Sequence, residues 1–205
     1  MFDEGYVKYQ CNWLDAPPFS FEAIQELNRW RDKLYHLGLI GQYNNGIGFG
    51  NLSIRCQEDR TCFIISGTKT GGLPALNERH YTKVIDYNWE ENYVTCLGPI
   101  QASSEALTHA AIYEANPRID VVIHVHHLDL WRNLMDKVPT TAKNIAYGTP
   151  EMAREIIRLC REDNLGETQI LVMSGHEEGI ITFGRNLDEA GNLLLKYYYL
   201  LFVKN

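Results

Sequence analysis

The sequence predicts an α/β fold in which helices cover a central sheet. Apolar residues follow helical spacing near the amino terminus, and β-branched residues dominate short runs in the middle of the chain. A long helical pattern then closes the chain. Strands that are interleaved with helices and flanked by them at both ends are typical of α/β or α+β architecture. Strand directions do not follow from the sequence.

The first half of the chain predicts one helix followed by short strands. Ser20 is placed to cap the helix, and Gly38 is placed to stop it. The helical spacing is carried by Phe21, Ile24, Leu27, Trp30 and Leu34. Predicted strands follow at Asn51–Cys56, at Cys62–Ser66 and within residues 82–97. A glycine-rich loop begins at Ser66.

The second half alternates helices and strands. After Ser104 the pattern is helical until shortly before Pro117. Predicted strands lie at Asp120–His126, Gln169–Met173 and Gly179–Phe183, and predicted helices lie at about 150–161 and from Asp188 onward. These elements account for the predicted sheet and its helical layers.

Composition and charge exclude several classes of function. The net charge of -7 and the pI of about 5.5 argue against nucleic-acid binding, which normally needs a basic surface. No apolar run approaches the roughly 18 residues of a membrane span, and the charged start MFDEGYVKYQ does not resemble a secretory signal. The five scattered cysteines form no CxxC pair and indicate reduced thiols. We therefore expect one cytoplasmic domain over residues 1–205, with an irregular segment over residues 1–18.

Two histidines are predicted to share one face of a strand. In DVVIHVHH, strand alternation places Val122, His124 and His126 on one face, with the intervening apolar residues on the other. Two imidazoles on a rigid strand can hold two positions of a metal site. The alternative is a pair of structural histidines that are hydrogen-bonded at a strand end.

A third candidate ligand lies in a predicted turn between two apolar strands. In LVMSGHEEGIITFG, His176 stands between Gly175 and Gly179. A polar HEE cluster in this apolar setting is costly unless it faces solvent or a site. The alternatives are an exposed turn, or a carboxylate of Glu177 or Glu178 as the ligand. Neutral imidazoles favour zinc or another late first-row divalent ion.

A carboxylate and two serines precede the predicted helix after Ser104. Ser103 and Ser104 can cap this helix, whose first N–H groups are suited to binding phosphate. Glu105 is either a first-turn residue that complements the helix dipole or a general base beside the metal.

Several motifs resemble those of the class II aldolase/adducin family. They are GNLSIR from Gly50, ISG with its Gly-rich continuation from Ile65, SSEALTHAAIYEANPRIDVVIHVH from Ser103, YGTPEMA from Tyr147 and GIITFGRNLDEA from Gly179. Their order and spacing agree over roughly residues 20–200.

The resemblance implies a three-layer α/β/α sandwich around a mostly antiparallel sheet, assembled as a homotetramer. It also implies a divalent metal, with zinc expected, held by His124, His126 and His176. Glu105 is implied as the catalytic carboxylate. The implied phosphate-binding residues are Asn51, Ser66, Gly67, Ser103 and Ser104, and Lys69 could add a positive charge.

The chain departs from the family pattern in two places. The family usually has histidine directly before the glycine that follows the turn, whereas this chain has Glu178 there and His176 two positions earlier. The segment from Leu128 to Ala146 is shorter than usual, so a family tyrosine is either missing or replaced by Tyr197, Tyr198 or Tyr199.

The implied reaction is aldolase-like cleavage of a sugar phosphate or related hydroxy-carbonyl compound through a metal-stabilised enediolate. The alternatives are an epimerase or dehydratase on the same scaffold, and a non-catalytic adducin-like interaction module.

Overall fold

The computed structural model describes residues 7–203, and its ten strands form one large sheet and one small hairpin. The strands are β1 (Gln10–Leu14), β2 (Gly41–Gln42), β3 (Gly48–Phe49), β4 (Asn51–Arg55), β5 (Phe63–Ser66), β6 (Tyr81–Asn88), β7 (Tyr93–Leu97), β8 (Val121–His126), β9 (Ile170–Val172) and β10 (Gly179–Gly184). β2 and β3 make the hairpin, and the other eight make the sheet.

Within the described range 7–203, six α-helices accompany the strands. They are α1 (Phe21–His36), α2 (Ala106–Ala115), α3 (Leu128–Leu134), α4 (Pro150–Glu162), α5 (Leu165–Thr168) and α6 (Leu187–Val203). Leu37 is the C-cap residue of α1, and Gly38 follows with a φ of 70°, a left-handed conformation that favours glycine. Ser20 occupies the N-cap position of α1, but its side chain makes no capping hydrogen bond.

The large sheet has the order β1-β7-β6-β5-β4-β8-β10-β9 and is antiparallel except for the β1–β7 pair. The prediction that residues 1–18 are irregular is wrong for Gln10–Leu14, which form β1. β1 is a mostly exposed edge strand, so its sequence lacks the apolar alternation that marks a half-buried strand. Residues 1–6 of that predicted segment lie outside the described residues.

Helices pack on both faces of the sheet and enclose two apolar cores. α2 and α4 pack together on one face, whereas α1 and α6 cover the other. Val122 belongs to the first core, and Val121, Ile123 and Val125 belong to the second. The predicted alternation along β8 and the predicted three-layer α/β/α class are therefore confirmed.

The segment after β8 contains a helix that the sequence did not predict. α3 begins after His127, whose Nδ1 accepts a hydrogen bond from the backbone N–H of Leu130 at 3.1 Å. The indole N–H of Trp131 donates to the carbonyl of Met173 at 3.0 Å. These contacts tie the short segment to the end of β9, close to the turn that carries His176.

Candidate metal centre and adjoining cleft

Three histidines converge at the end of β8. His124 and His126 lie two residues apart on this fully buried strand, and their ring centroids are 4.8 Å apart. His176 lies in the turn between β9 and β10, with its Nε2 only 3.1 Å from Nε2 of His126. One potential ligand atom from each of the three residues lies within 4.8 Å of the others. The turn is therefore buried at this cluster and is not an exposed loop.

Strand pairing and close glycine packing explain how His176 reaches the pair. β10 is antiparallel to β8, with Gly179 opposite His126, so the turn before β10 lies against the end of β8. A Cβ atom on Gly175 would lie 2.1 Å from the carbonyl oxygen of Ile145, and one on Gly179 would lie 2.6 Å from Cδ2 of His176. Both glycines thus permit approaches that a side chain would block.

Burial keeps the three imidazoles neutral. Burial lowers the pKa of His124 to about 3 and holds the pKa of His126 well below its usual range, with smaller contributions from His176 and His124. Burial, followed by His124 and Lys8, also lowers the pKa of His176. Neutral imidazoles carry the lone pairs that a metal ligand requires.

The cluster fits a late first-row divalent ion. Nε2 of His124 is buried and has no hydrogen-bond partner within residues 7–203. The 3.1 Å between Nε2 of His126 and Nε2 of His176 is close to the roughly 3.3 Å that separates two nitrogens bound tetrahedrally to zinc. A buried group of three histidines could therefore bind a metal.

Glu105 lies beside the histidines and is almost completely buried. It is the N-cap residue of α2, and its backbone N–H donates to the hydroxyl of Ser103 at 3.4 Å. Its Oε1 is 3.8 Å from Nε2 of His176. Burial raises the pKa of Glu105 to about 7, although Thr108 and Lys8 act to lower it. This carboxyl group can exchange a proton near neutral pH.

A cleft of about 640 Å³ opens over Glu105 and His124. Most of the predicted phosphate-binding residues line it, namely Asn51, Gly67, Ser103 and Ser104. Ser66 is not among its lining residues within the described chain, because its buried hydroxyl accepts a hydrogen bond from the backbone N–H of Leu52 at 3.3 Å. Lys69 does line the cleft, together with Thr68 and Thr70, which the sequence did not single out.

A buried arginine holds the loop that forms one wall of this cleft. The guanidinium of Arg31 donates to the carbonyl oxygens of Thr70 and Gly71, each at 3.1 Å, and also to that of Leu73. Arg31 is 1% exposed. These charge-assisted bonds fix the course of the loop that follows Lys69.

Several side-chain contacts around the histidines were not predicted from the sequence. The hydroxyl of Tyr43 lies 2.9 Å from Nδ1 of His126 and donates to Oε2 of Glu178 at 2.7 Å. The ring of Tyr147 lies 4.5 Å from that of His176, with Nζ of Lys8 3.8 Å from its centroid. These residues come from four separate parts of the chain, and only folding brings them together.

The C-terminal tyrosines occupy the outer helical layer. Tyr197 and Tyr198 pack against the second core, and the hydroxyl of Tyr198 donates to the carbonyl of Leu37 at 3.4 Å. Tyr199 is 50% exposed. Within the part of the chain that the structure describes, none of the three lines the cleft, so none of them occupies the position that a replacement for the family tyrosine requires.

The fold and the buried histidine cluster define a class of α/β/α proteins with a metal-compatible centre at the carboxyl end of an interior strand, β8. The chain matches the family described as Class II Aldolase and Adducin N-terminal domain over residues 32–201, and it belongs to that family. The resemblance found in the sequence is therefore confirmed.

Solved structures of similar fold come from several members of this family. L-fuculose 1-phosphate aldolase aligns with a TM-score of 0.67 and 20% identity, covering 89% of this chain and 84% of its own. The L-fuculose-1-phosphate aldolase of Thermus thermophilus aligns with a TM-score of 0.61 and 20% identity, over 90% of this chain and 93% of its own. YgbL of Escherichia coli, for which aldolase, epimerase and decarboxylase activities are all named as candidates, aligns with a TM-score of 0.66 and 21% identity, over 90% of each chain. A comparison with curated proteins finds no match.

Within residues 7–203, no helix combines the length and the apolar character needed to cross a bilayer.

Proposed function

We propose that the protein is a divalent-metal-dependent carbon–carbon lyase that acts on a phosphorylated hydroxy-carbonyl compound. In this proposal His124, His126 and His176 bind the metal, and Glu105 transfers the proton. The observation that carries it is the position of Glu105, a buried carboxyl group with its pKa raised to about 7 and its Oε1 3.8 Å from His176. Glu105 is the N-cap residue of α2, but its side chain makes no capping hydrogen bond, so capping does not account for its carboxyl group.

The three neutral imidazoles favour zinc among the divalent ions. When bound there, a divalent cation supplies Lewis-acid polarisation of a substrate carbonyl. His176 is favoured over Glu178 as the third ligand, because Oε2 of Glu178 lies 4.0 Å from Nδ1 of His126, whereas His176 faces Nε2 of the same ring. The two candidates thus approach different nitrogens of one ring.

Glu105 would act at carbon. In the cleavage direction, the hydroxyl group of the departing fragment loses its proton to solvent and becomes a carbonyl. The electron pair of the breaking C–C bond remains on the carbon next to the substrate carbonyl, which gives an enediolate. Protonated Glu105 then delivers its proton to that carbon, and in the reverse direction the carboxylate removes it. With a pKa of about 7, both forms of Glu105 are populated near neutral pH.

The cleft lining supports the assignment of a phosphorylated substrate. Lys69 supplies a positive charge, and Asn51, Ser103 and Ser104 supply polar groups around the same space as Glu105. Phosphate held by these groups would orient the reacting carbons over Glu105 and the histidines. Ser66 contributes through its hydrogen bond to Leu52, on the strand that begins with Asn51.

The test is a panel of phosphorylated ketoses and aldehydes assayed with zinc, manganese or cobalt. The expected result is cleavage of at least one ketose phosphate by the wild-type protein. Glu105→Gln should retain the metal and lose turnover by at least about 100-fold, the lower end for a general acid–base residue. Undiminished turnover in Glu105→Gln, or a wild-type protein that binds no metal, would contradict the proposal.

An epimerase is the second candidate. The cleft of about 640 Å³ is large enough to retain both fragments of a sugar phosphate, which an epimerase must do before it rejoins them. Product analysis separates the two reactions, since a lyase releases two fragments and an epimerase returns one isomer of unchanged mass. A dehydratase would instead lose water, and a non-catalytic module would show no conversion in the panel.

The proposal includes a homotetramer in the cytoplasm. Exposed apolar residues near the end of α6 support self-association, with Tyr199, Leu200 and Phe202 exposed by 50%, 41% and 62%. Light scattering after gel filtration would test the assembly, and a monomer at micromolar concentration would argue against it.

A further inference from the structure

We propose that Tyr43 and Glu178 form a positioning relay that sets the tautomer of His126, so that its Nε2 lone pair faces the proposed metal centre. The inference rests on the proposed function, because it assigns a role to two residues around the ligand set. Neither residue was singled out for this role by its sequence context.

The direction of the hydrogen bonds defines the tautomer. The hydroxyl of Tyr43 has one proton, which it donates to Oε2 of Glu178 at 2.7 Å. Its contact of 2.9 Å with Nδ1 of His126 must then have the imidazole as donor. A neutral imidazole carries one N–H, so Nε2 of His126 keeps its lone pair. That nitrogen faces His176 at 3.1 Å.

The backbone around both residues holds the relay in place. Tyr43 lies in the turn between β2 and β3, where its backbone N–H donates to the carbonyl of Ile47 at 2.9 Å. Its ring packs on Phe49 with centroids 4.6 Å apart, and Phe49 in turn lies 5.4 Å from the ring of His126. The small hairpin therefore packs against the outer edge of His126 and carries the hydroxyl to Nδ1.

Glu178 adopts a backbone conformation that is uncommon for glutamate. Its φ is 71°, in the left-handed region, and its carbonyl accepts a hydrogen bond from the backbone N–H of His127 at 3.1 Å. Its carboxylate reaches the hydroxyl of Tyr43 on the Nδ1 side of His126. Carboxylate partners of this kind, acting behind a ligating histidine, orient the ring and raise its basicity.

The experiment measures Zn²⁺ affinity by competition with a chromophoric chelator. Tyr43→Phe and Glu178→Gln should each weaken binding by about 10- to 100-fold, as is typical when such partners are removed. The double variant should be no weaker than the weaker single variant, because both changes break one chain of hydrogen bonds.

Matched controls separate the relay from general structural effects. Tyr93→Phe removes a hydroxyl that donates to the carboxylate of Asp86 at 3.1 Å, a tyrosine–carboxylate hydrogen bond in which no histidine takes part. Glu177→Gln changes the carboxylate next to Glu178 in the sequence. Both should bind Zn²⁺ as the wild type does. Wild-type affinity in Tyr43→Phe or Glu178→Gln would overturn the relay. Complete loss of binding in Glu178→Gln would also overturn it, since that result would make Glu178 a ligand.

A second measurement distinguishes failure of the relay from failure of the metal centre. In the metal-free protein, ¹H–¹⁵N correlation of the imidazole rings should show a proton on Nδ1 of His126, and Tyr43→Phe should change that pattern. A wild-type protein that binds no Zn²⁺ would refute the metal centre, while the ring spectra would still decide whether Tyr43 sets the tautomer. A His126 spectrum unchanged by Tyr43→Phe would refute the relay alone.

Discussion

His126 and His176 are fifty residues apart in the chain, and their Nε2 atoms are 3.1 Å apart in the structure. The pairing of β10 with β8 produces this proximity, since it sets Gly179 opposite His126. The short turn from Ser174 to Glu178 lies beside the rings of β8, with the His176 ring centroid 5.4 Å from that of His124 and 4.7 Å from that of His126. The arrangement makes the candidate centre sensitive to small changes in that turn.

Gly179→Ala should displace the ring of His176 and weaken metal binding. The added Cβ would lie 2.6 Å from Cδ2 of His176, so the ring or the turn must move. We expect Zn²⁺ affinity to fall by at least about 10-fold. Gly166→Ala in α5 is the control, because its nearest neighbour would be Nδ2 of Asn116 at 3.6 Å. Equal Zn²⁺ affinity in both variants would show that the close contact does not position His176.

Glu105→Gln should stabilise the metal-free protein at high pH. Burial raises the pKa of Glu105 from 4.5 to about 7, so the folded protein binds this proton more tightly than the unfolded chain does. The resulting stability is present below about pH 4.5 and is lost as the pH rises through 7. Glutamine does not ionise, so the variant should gain up to about 3 kcal/mol over the wild type between pH 5 and pH 8.

Urea denaturation at pH 5 and pH 8 in the presence of a chelator measures this difference. Glu90→Gln, at an exposed position, is the control for the loss of one carboxyl group. A constant offset between Glu105→Gln and the wild type across this range would argue against the raised pKa.

Arg31→Lys should disturb the cleft loop without affecting the metal. Arg31 donates to three loop carbonyls, and a lysine ammonium cannot reproduce the planar geometry of the guanidinium. We expect a loss of about 1–3 kcal/mol in unfolding free energy and weaker binding of inorganic phosphate, with unchanged Zn²⁺ affinity. Calorimetric titration measures the affinities for inorganic phosphate and for Zn²⁺. Arg29→Lys is the control, because the side chain of Arg29 is 60% exposed. Unaltered phosphate binding in Arg31→Lys would show that Arg31 does not hold the loop in a phosphate-binding conformation.

Gly191→Ala should destabilise the contact between α1 and α6. A Cβ atom at this position would lie 2.3 Å from Cζ3 of Trp30, so the indole must shift within a packed core. Overpacking of this kind costs about 1–3 kcal/mol. Thermal unfolding should show a lower Tm. A Tm equal to that of the wild type would mean that α1 and α6 can move apart with no loss of stability.

The regular elements with strong periodicity were predictable, and the weakly patterned ones were not. β8 could be predicted because both of its faces are buried and β-branched residues dominate it. β1 could not, because it is an exposed edge strand held by pairing with β7. α3 has only seven residues, too few for a helical pattern to stand out from the surrounding turns.

The residues of the candidate site likewise include some that could be predicted from the sequence and some that could not. Two residues of one strand, His124 and His126, share a face through simple alternation, so their proximity follows from local geometry. A helix start near Glu105 was predictable, but the prediction that Ser103 or Ser104 caps the helix is wrong, because Glu105 itself is the N-cap residue. The contacts of Tyr43, Tyr147 and Lys8 around the histidines were not predictable, because each residue approaches them from a different part of the chain.

The sequence by itself determined the layered α/β class and the paired imidazoles of β8, because backbone alternation is a local property of a few residues. The tertiary structure decided that His176 faces Nε2 of His126 and that Glu178 faces Tyr43 on the other side of that ring. The positions of His176 and Glu178 depend on the close packing of Gly175 against the carbonyl oxygen of Ile145 and of Gly179 against the ring of His176. No local sequence pattern encodes these contacts.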